Sequence, residues 1–192
     1  MSISKNKIII GLSGASGICY GVRLLSLLKP LDIETHLIMS RSAKITLGYE
    51  MDMKVAEVHG LADHVHAADD IGASIASGSV RTLGMMIVPC SIRSMSEIAT
   101  GVTSSLLTRA ADVVLKERRK LVLMVRETPL HTGHLRTMTA LSEMGAIIAP
   151  PVPAMYAKPE SIEDMIDHTL GRLLDLYDID MPQVKRWKSE EC

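Results

Sequence analysis

The sequence contains no phenylalanine, a single asparagine (Asn6) and only three cysteines among its 192 residues. Cys19, Cys90 and Cys192 are too few and too far apart for a disulfide framework or a zinc cluster, so reduced thiols are expected. Without phenylalanine and with 13 methionines, the core is expected to consist of aliphatic and thioether side chains.

The sequence also lacks an excess of charge of either sign and any long apolar run. Its 21 Lys and Arg against 22 Asp and Glu leave a net charge of −1, which disfavours the broad basic surface of a nucleic-acid-binding protein. No apolar run reaches the roughly 20 residues of a membrane span. The N-terminus shows no signal-peptide pattern. We therefore expect a cytoplasmic protein without a membrane span or a nucleic-acid partner.

Short apolar runs typical of buried strands alternate with apolar residues at helical spacing. The strand patterns cover residues 7–11, 33–39, 84–89, 120–125 and 146–149, and helical patterns follow them, the last at 162–174. This alternation predicts a single α/β domain with a Rossmann-like (flavodoxin-like), doubly wound parallel sheet. We expect the domain to cover residues 1–180 and a tail to cover 181–192, where Pro182 and several charges end the helical pattern.

A glycine-rich loop, 11–17, follows the first strand and precedes the first helix. Backbone N–H groups and the helix dipole at such a position favour a bound anion. The GxxGxxG spacing lacks the GxG of the dinucleotide fingerprint, and no Walker lysine follows. Ser40 stands where NAD-binding proteins carry an acidic residue. A mononucleotide therefore fits better than a dinucleotide, although the glycines could serve only close helix packing.

Two further segments follow strands and carry candidate chemistry. The hydroxyls of the 89–94 segment could bind a phosphate, although serine at a strand end is often only a helix cap. Cys90 within it is expected to be a buried thiol rather than a nucleophile. Arg126 and Glu127 follow the fourth apolar run, 120–125, at its carboxyl end. They could form an anion pocket that contains one carboxylate, together with Arg109, Lys116, Arg172, Ser77, Gly78, Ser79 and Tyr156. An ordinary solvated or ion-paired role is the alternative for each of the basic residues, Arg126 included.

His64 and His66, with Asp63, Asp69 and Asp70 nearby, resemble a metal cluster. The segment reads as a loop, has no helical ligand spacing and offers no third anchored ligand in the sequence. No metal site is therefore predicted.

Several motifs together resemble one family over residues 7–179. They are Gly-Ala-Ser-Gly at 14–17, Ala-Ser-Gly-Ser at 76–79, Pro-Cys-Ser at 89–91, Arg-Ala-Ala-Asp-Val-Val-Leu-Lys-Glu-Arg at 109–118, Val-Arg-Glu at 125–127 and Pro-x-Pro-Ala-x-Tyr ending at Tyr156. The sequence is similar in these motifs to the UbiX-type flavin prenyltransferases of the UbiX/PAD flavoproteins.

The resemblance implies a metal-independent enzyme that joins a dimethylallyl group from dimethylallyl phosphate to N5 and C6 of reduced FMN. The product would be the prenylated flavin used by a UbiD-type decarboxylase. Members of the family form dodecamers with sites at subunit interfaces, so a homo-oligomer is expected.

The resemblance also implies roles for individual residues. The FMN-binding set is Gly14, Ala15, Ser16, Ser40, Ser91, Ile92, Arg93, Ser94 and Arg126. The residues expected at the prenyl substrate are Ser77, Gly78, Arg109, Lys116, Tyr156, Arg172 and Trp187. The catalytic set is Glu127, Lys116, Arg126 and Glu50, the last supplied by a neighbouring subunit.

The chemistry is consistent with these residues, because cationic groups stabilise the charge that develops on a departing phosphate. Glu127 could hold or deliver a proton there. A phosphopantothenoylcysteine decarboxylase would need a Pro-x-Met-Asn motif, which a chain with only Asn6 cannot supply. A flavin-dependent aromatic-acid decarboxylase and a non-catalytic flavin carrier subunit remain as alternatives.

Overall fold

The computed structural model describes residues 6–181, which contain a six-stranded, fully parallel sheet. The strands are β1 (Asn6–Leu12), β2 (Ile33–Met39), β3 (His64–His66), β4 (Gly84–Cys90), β5 (Lys120–Val125) and β6 (Ala146–Ile148). Within β1, β2, β4 and β5 most side chains are buried, because a parallel sheet covered on both faces excludes water from either side.

The strand order is β3-β2-β1-β4-β5-β6, so the chain winds outward in both directions from β1 and β4. This confirms the predicted Rossmann-like, doubly wound parallel sheet. The order reverses between β1 and β4, which are direct neighbours. In open sheets of this kind, ligands bind beyond the carboxyl ends of the strands at that reversal.

Seven α-helices connect or follow the strands within the described part of the chain. They are α1 (Ile18–Leu28), α2 (Arg41–Glu50), α3 (Val55–His59), α4 (Ile92–Ala99), α5 (Leu106–Lys116), α6 (Thr132–Glu143) and α7 (Ile162–Asp175). None of them is long and apolar enough to cross a membrane.

The helices α1 and α5 cover opposite faces of the sheet. A Cβ on Gly21 of α1 would approach Leu12, whereas a Cβ on Gly11 would approach Leu107 of α5. Gly11 and Leu12 are consecutive in β1 and therefore point to opposite faces. The sheet is consequently enclosed between helices, which accounts for the fully buried Ile8, Ile10 and Met86.

Three elements are absent from the sequence-based prediction. The strand β3 has only three residues and lies at the edge of the sheet, so it lacks a buried apolar run. The prediction that His64 and His66 lie in a loop is therefore wrong. The helices α3 and α4 are only five and eight residues long, too short for a clear periodic signal.

The chain divides into two compact units, Met1–Pro150 and Pro151–Cys192. The first contains the sheet and α1–α6, and the second contains α7. The expected domain of residues 1–180 with a tail at 181–192 stays a prediction. Trp187 lies outside the described residues.

Candidate active site

A cavity of about 790 Å³ lies at the carboxyl edge of the sheet, beside the ends of β1, β2 and β4. Its lining includes six of the nine residues predicted to bind FMN, together with Glu127. These six are Gly14, Ser40, Ser91, Ile92, Arg93 and Ser94. The volume lies within the roughly 300–1,000 Å³ that small-molecule sites span.

Ser13 joins the ends of β1 and β4 beneath this cavity. Its buried Oγ donates to the carbonyl oxygen of Pro89 at 2.9 Å and accepts from the N–H of Ser91 at 2.7 Å. The backbone N–H of Ser13 also donates to the Pro89 carbonyl at 3.2 Å. One hydroxyl therefore fixes the two loops that meet at the reversal of strand order.

Replacing Ser13 with alanine is expected to lower the free energy of unfolding by about 1–3 kcal/mol, because the Ser91 N–H loses its acceptor in a buried position. Urea unfolding followed by circular dichroism measures the change. Ser26→Ala is the control, since that hydroxyl only donates to the Val22 carbonyl within α1. Equal stability of both variants would contradict the role of Ser13.

Three helices begin at or beside the cavity with serine N-caps. Ser40, Ser91 and Ser105 accept hydrogen bonds from the backbone N–H groups of α2, α4 and α5 at 3.0, 3.3 and 3.3 Å. All three serines line the cavity. The positive ends of three helix dipoles therefore converge there, which favours an anionic ligand.

The loop after β1 makes two close approaches that require small residues. A Cβ on Gly14 would lie 2.3 Å from the Cβ of Ser42, so no larger residue fits without displacing α2. Gly17, the N-cap of α1, has a φ of 93°, in the left-handed region that favours glycine. Gly14 therefore permits close packing against α2 and Gly17 permits the turn before α1. The role of this loop in binding a phosphate stays a prediction.

The anion at the start of α1 is a side chain of the protein itself. Oε2 of Glu50 accepts from the N–H groups of Gly17 and Ile18 at 2.8 and 3.0 Å. The start of α1 therefore does hold an anion, as its helix dipole favours. That anion is the Glu50 carboxylate, which occupies both N–H groups. In a mononucleotide site, a phosphate would lie nearer the starts of α2 and α4.

Glu50 reaches this loop from the last residue of α2 in the same chain. Within one chain, the β1–α1 loop and the end of α2 therefore meet through Glu50. The expected role of Glu50 at the prenyl substrate of a neighbouring subunit stays a prediction. Burial raises the pKa of Glu50. Hydrogen bonds from Ser16 and from the backbone of Ile18 and Gly17, together with the positive charge of Arg126, outweigh burial and lower that pKa overall.

Because its folded-state pKa is lowered, Glu50 contributes stability above its ordinary pKa of 4.5, and this stability is lost as the pH falls through the folded-state value. We expect the stability difference between wild type and Glu50→Gln to be largest at neutral pH and to shrink in acid. Urea unfolding at about pH 7 and at about pH 3 compares the two proteins. A difference independent of pH would contradict the ionised role.

Arg126 and Glu127 follow β5 at the same edge of the sheet. The N–H of Arg126 donates to the Cys90 carbonyl at 3.2 Å, which holds this segment beside the end of β4. Both residues are exposed, and Glu127 lines the cavity. The charge of Arg126 acts on Glu50 and Tyr20, so Arg126 lies on the α1 side of the site.

Cys90 ends β4 beneath this edge and is fully buried. Burial raises the pKa of its thiol to about 12, so the thiolate is not accessible at neutral pH. This agrees with the interpretation of Cys90 as a packed thiol.

A second group of predicted substrate residues lies at the opposite edge of the sheet. Lys116 ends α5, four residues before β5 begins, whereas Glu127 follows the end of β5. A Cβ on Gly78 would lie 2.9 Å from Nζ of Lys116, so the 77–80 loop accompanies that lysine. Arg119 holds the loop through the carbonyls of Gly78 and Val80.

The expected pocket formed by Lys116, Ser77, Gly78 and Arg126–Glu127 is therefore not assembled within one chain. The six residues of β5 separate the two groups by about 20 Å, at roughly 3.3 Å per residue. Lys116 forms its ion pair with Glu117. Arg109, on the first turns of α5, pairs with Asp112 at 2.8 Å.

Tyr156 and Arg172 belong to the unit 151–192. The Tyr156 hydroxyl lies 3.4 Å from Nε2 of His168, and Arg172 forms an ion pair with Asp175 at 2.7 Å. Their roles at the prenyl substrate stay predictions, as does that of Trp187.

Several cavity residues were not predicted from the sequence. Ala67, Ala68 and Asp69 line the cavity because they follow β3, which the sequence did not reveal. Ser105 caps α5 with Thr108 at the third position, and this Ser-x-x-Thr pattern before an apolar helix is the signal that could have placed it.

The fold and the cavity define a doubly wound α/β protein with a ligand site at its topological switch point. The Flavoprotein family model matches residues 1–174. The flavin prenyltransferase UbiX of Escherichia coli (strain K12) is 57% identical over 185 residues, covering 95% of this chain and 98% of the relative. That of Thauera aromatica is 51% identical, covering 96% and 95%. The chain therefore belongs to the flavoprotein family, among the UbiX-type flavin prenyltransferases.

Two solved structures are closely similar. The crystal structure of AnUbiX (PadA1) in complex with FMN and dimethylallyl pyrophosphate gives a TM-score of 0.94 at 47% identity, covering 96% of this chain and 98% of that one. A dodecameric FMN-dependent UbiX-like decarboxylase from Escherichia coli O157:H7 gives 0.92 at 46% identity, covering 94% and 98%.

Proposed function

We propose that the protein is a flavin prenyltransferase that joins a dimethylallyl group from dimethylallyl phosphate to N5 and C6 of reduced FMN. The observation that carries the proposal is the switch-point cavity, where serine-capped helix starts and Glu127 meet. The sequence identity of 57% to a flavin prenyltransferase, over nearly the full chain, also supports the proposal. The prenylated flavin would pass to a UbiD-type decarboxylase.

The residues of the cavity fit FMN. The N-termini of α2 and α4 and the hydroxyls of Ser40 and Ser91 suit its single phosphate. Ser94 and Ile92 would bind the rest of the nucleotide, and Arg126 would act from the α1 side. No acidic residue follows β2 to bind the ribose of NAD, since Ser40 occupies that position.

Bound reduced flavin supplies the nucleophilic N5 atom and an aromatic face for the prenyl group. The protein stabilises the leaving phosphate through Arg126 and Lys116, whose positive charges are most effective as negative charge develops. Glu127 holds or accepts a proton at its carboxylate, of which Oε1 also accepts from the Thr128 N–H at 3.1 Å.

The separation of the two residue groups supports a site shared between copies of the chain. Glu127 and the cavity lie at one edge of the sheet, and Lys116 with Gly78 lies at the other. An adjoining subunit would place its own Lys116 and Gly78 at the cavity of this subunit. The related UbiX-like decarboxylase from Escherichia coli O157:H7 is dodecameric, and we propose the same assembly here.

We also place the protein in the cytoplasm. Neither Cys19 nor Cys90 forms a disulfide within the described residues, which is consistent with a reducing compartment.

Aromatic-acid decarboxylation is the second candidate, because the similar structure from Escherichia coli O157:H7 is described as a decarboxylase. Incubating the purified protein anaerobically with reduced FMN and dimethylallyl phosphate, and separately the diphosphate, distinguishes the two functions. We expect mass spectrometry to find a flavin heavier by one C5H8 unit. Unchanged flavin, together with carbon dioxide release from an aromatic acid without a prenyl donor, would overturn the proposal.

A further inference from the structure

Four polar side chains share one face of the neighbouring strands β2 and β3, of which β3 is the edge strand. Glu34 and His36 lie two residues apart in β2, and His64 and His66 lie two residues apart in β3. The parallel register pairs His36 with His64. Alternate residues of a strand point to the same face, so the four side chains form one cluster, here called the edge cluster.

The potential donor atoms of the edge cluster are spaced as in a metal site. Oε1 of Glu34 lies 3.0 Å from Nε2 of His36 and 3.2 Å from Nε2 of His64. Donor atoms of the three residues all lie within 4.8 Å of one another. A tetrahedral zinc ion with bonds of about 2.0–2.1 Å holds its ligand atoms about 3.3 Å apart, so small side-chain movements suffice to bind one.

His66 is placed to orient one of these ligands. Its Nε2 lies 2.9 Å from Nδ1 of His36, and the two rings are stacked. When Nδ1 of His36 donates to His66, Nε2 of His36 carries a lone pair that can bind a cation. The cation would replace the hydrogen bond that joins this Nε2 to Oε1 of Glu34 at 3.0 Å. Metal-binding histidines are held in this way by a hydrogen bond to the second ring nitrogen.

The edge cluster is accessible from solvent on one side. The His64 side chain is 53% exposed, whereas that of His36 is 5% exposed, so an ion could enter past His64 and keep an open fourth position. The Lys7 ammonium lies 3.0 Å from Oε1 of Glu34 and would compete with the metal for that oxygen.

We propose that Glu34, His36 and His64 bind one divalent transition-metal ion, with His66 as a positioning residue for His36. Two imidazole nitrogens and one carboxylate oxygen form a donor set characteristic of zinc with one open position. The site ties the short strand β3 to β2, at the edge of the sheet, and is independent of the proposed prenyl transfer. It also revises the sequence-based expectation of no metal, because the anchored ligands His36 and Glu34 come from another strand.

Titrating the full-length, chelator-treated protein with Co²⁺ tests the proposal, because tetrahedral Co²⁺ absorbs visible light strongly and Zn²⁺ then displaces it. We expect one ion per chain and a higher thermal unfolding temperature with Zn²⁺. His64→Ala should abolish the visible absorption, and since that residue is exposed, the fold should persist. His66→Ala should weaken binding by about 10–100-fold, the usual effect of losing such a hydrogen bond.

Two further variants separate a metal site from unspecific histidine binding. His59→Ala removes a histidine on α3 outside the edge cluster and should leave the Co²⁺ spectrum unchanged. Lys7→Gln removes the competing cation and should tighten binding severalfold. No visible absorption in the wild type, or an equal loss in the His59 and His64 variants, would overturn the proposal.

Discussion

Replacing Glu127 with glutamine is expected to lower the rate of prenylation by about 10²–10⁴-fold, the usual contribution of a positioned acid or base. Glutamine keeps the size of the side chain and an acceptor for the Thr128 N–H, but it cannot exchange a proton. FMN binding should be retained, because the serine-capped helices are unchanged. Anaerobic single-turnover kinetics with reduced FMN and excess dimethylallyl phosphate measure the rate.

The alternative to an acid–base role is that Glu127 serves only as an ion-pair partner. Within one chain Lys116 lies at the other edge of the sheet and pairs with Glu117, so it could pair with Glu127 only from an adjoining subunit. A structural role would then weaken substrate affinity or folding and leave the rate at saturation nearly intact. Glu143→Gln, an exposed acid at the end of α6, is the matched control. An unchanged saturating rate in Glu127→Gln would contradict the acid–base role.

Replacing Gly14 with alanine is expected to displace the β1–α1 loop and to lower prenylation by about 10²-fold, as a misplacement of roughly 1 Å can do. The added Cβ would lie 2.3 Å from the Cβ of Ser42, which is a rigid position at the start of α2. Overpacking of this kind typically costs about 1–3 kcal/mol of stability. FMN fluorescence titration and urea unfolding measure both effects.

Gly48→Ala provides a control with the opposite expected sign. Gly48 also lies in the α2 region, but nothing lies within 4 Å of an added Cβ. Alanine in a helix interior is favoured over glycine by about 0.5–1 kcal/mol, so stability should rise and activity should persist. If Gly14→Ala behaved like Gly48→Ala, the close approach to Ser42 would not constrain the loop.

The sequence was sufficient to predict the central strands and the edge of the sheet where the cavity lies. Long buried strands such as β1 and β4 require continuous apolar runs, and these are visible without a structure. Ser40 and the 91–94 segment could be placed at the cavity because the carboxyl ends of parallel strands share one edge. Their individual roles stay predictions.

What the sequence could not show depends on contacts between distant residues. Glu50 binds the start of α1 from 32 residues further along the chain, and no local pattern indicates such a contact. The partners of His64 and His66 were hidden for the same reason, because His36 and Glu34 meet them only through strand pairing. Lys116 and Glu127 are close in sequence, yet β5 carries the chain across the whole sheet between them.

The position of these two residues at opposite edges has a genetic consequence in the proposed shared site. A change at Lys116 would impair the site of an adjoining molecule, whereas a change at Glu127 would impair the chain's own. Two defective alleles, one affected at each edge, could therefore complement one another in a mixed assembly, where some interfaces would combine two intact halves.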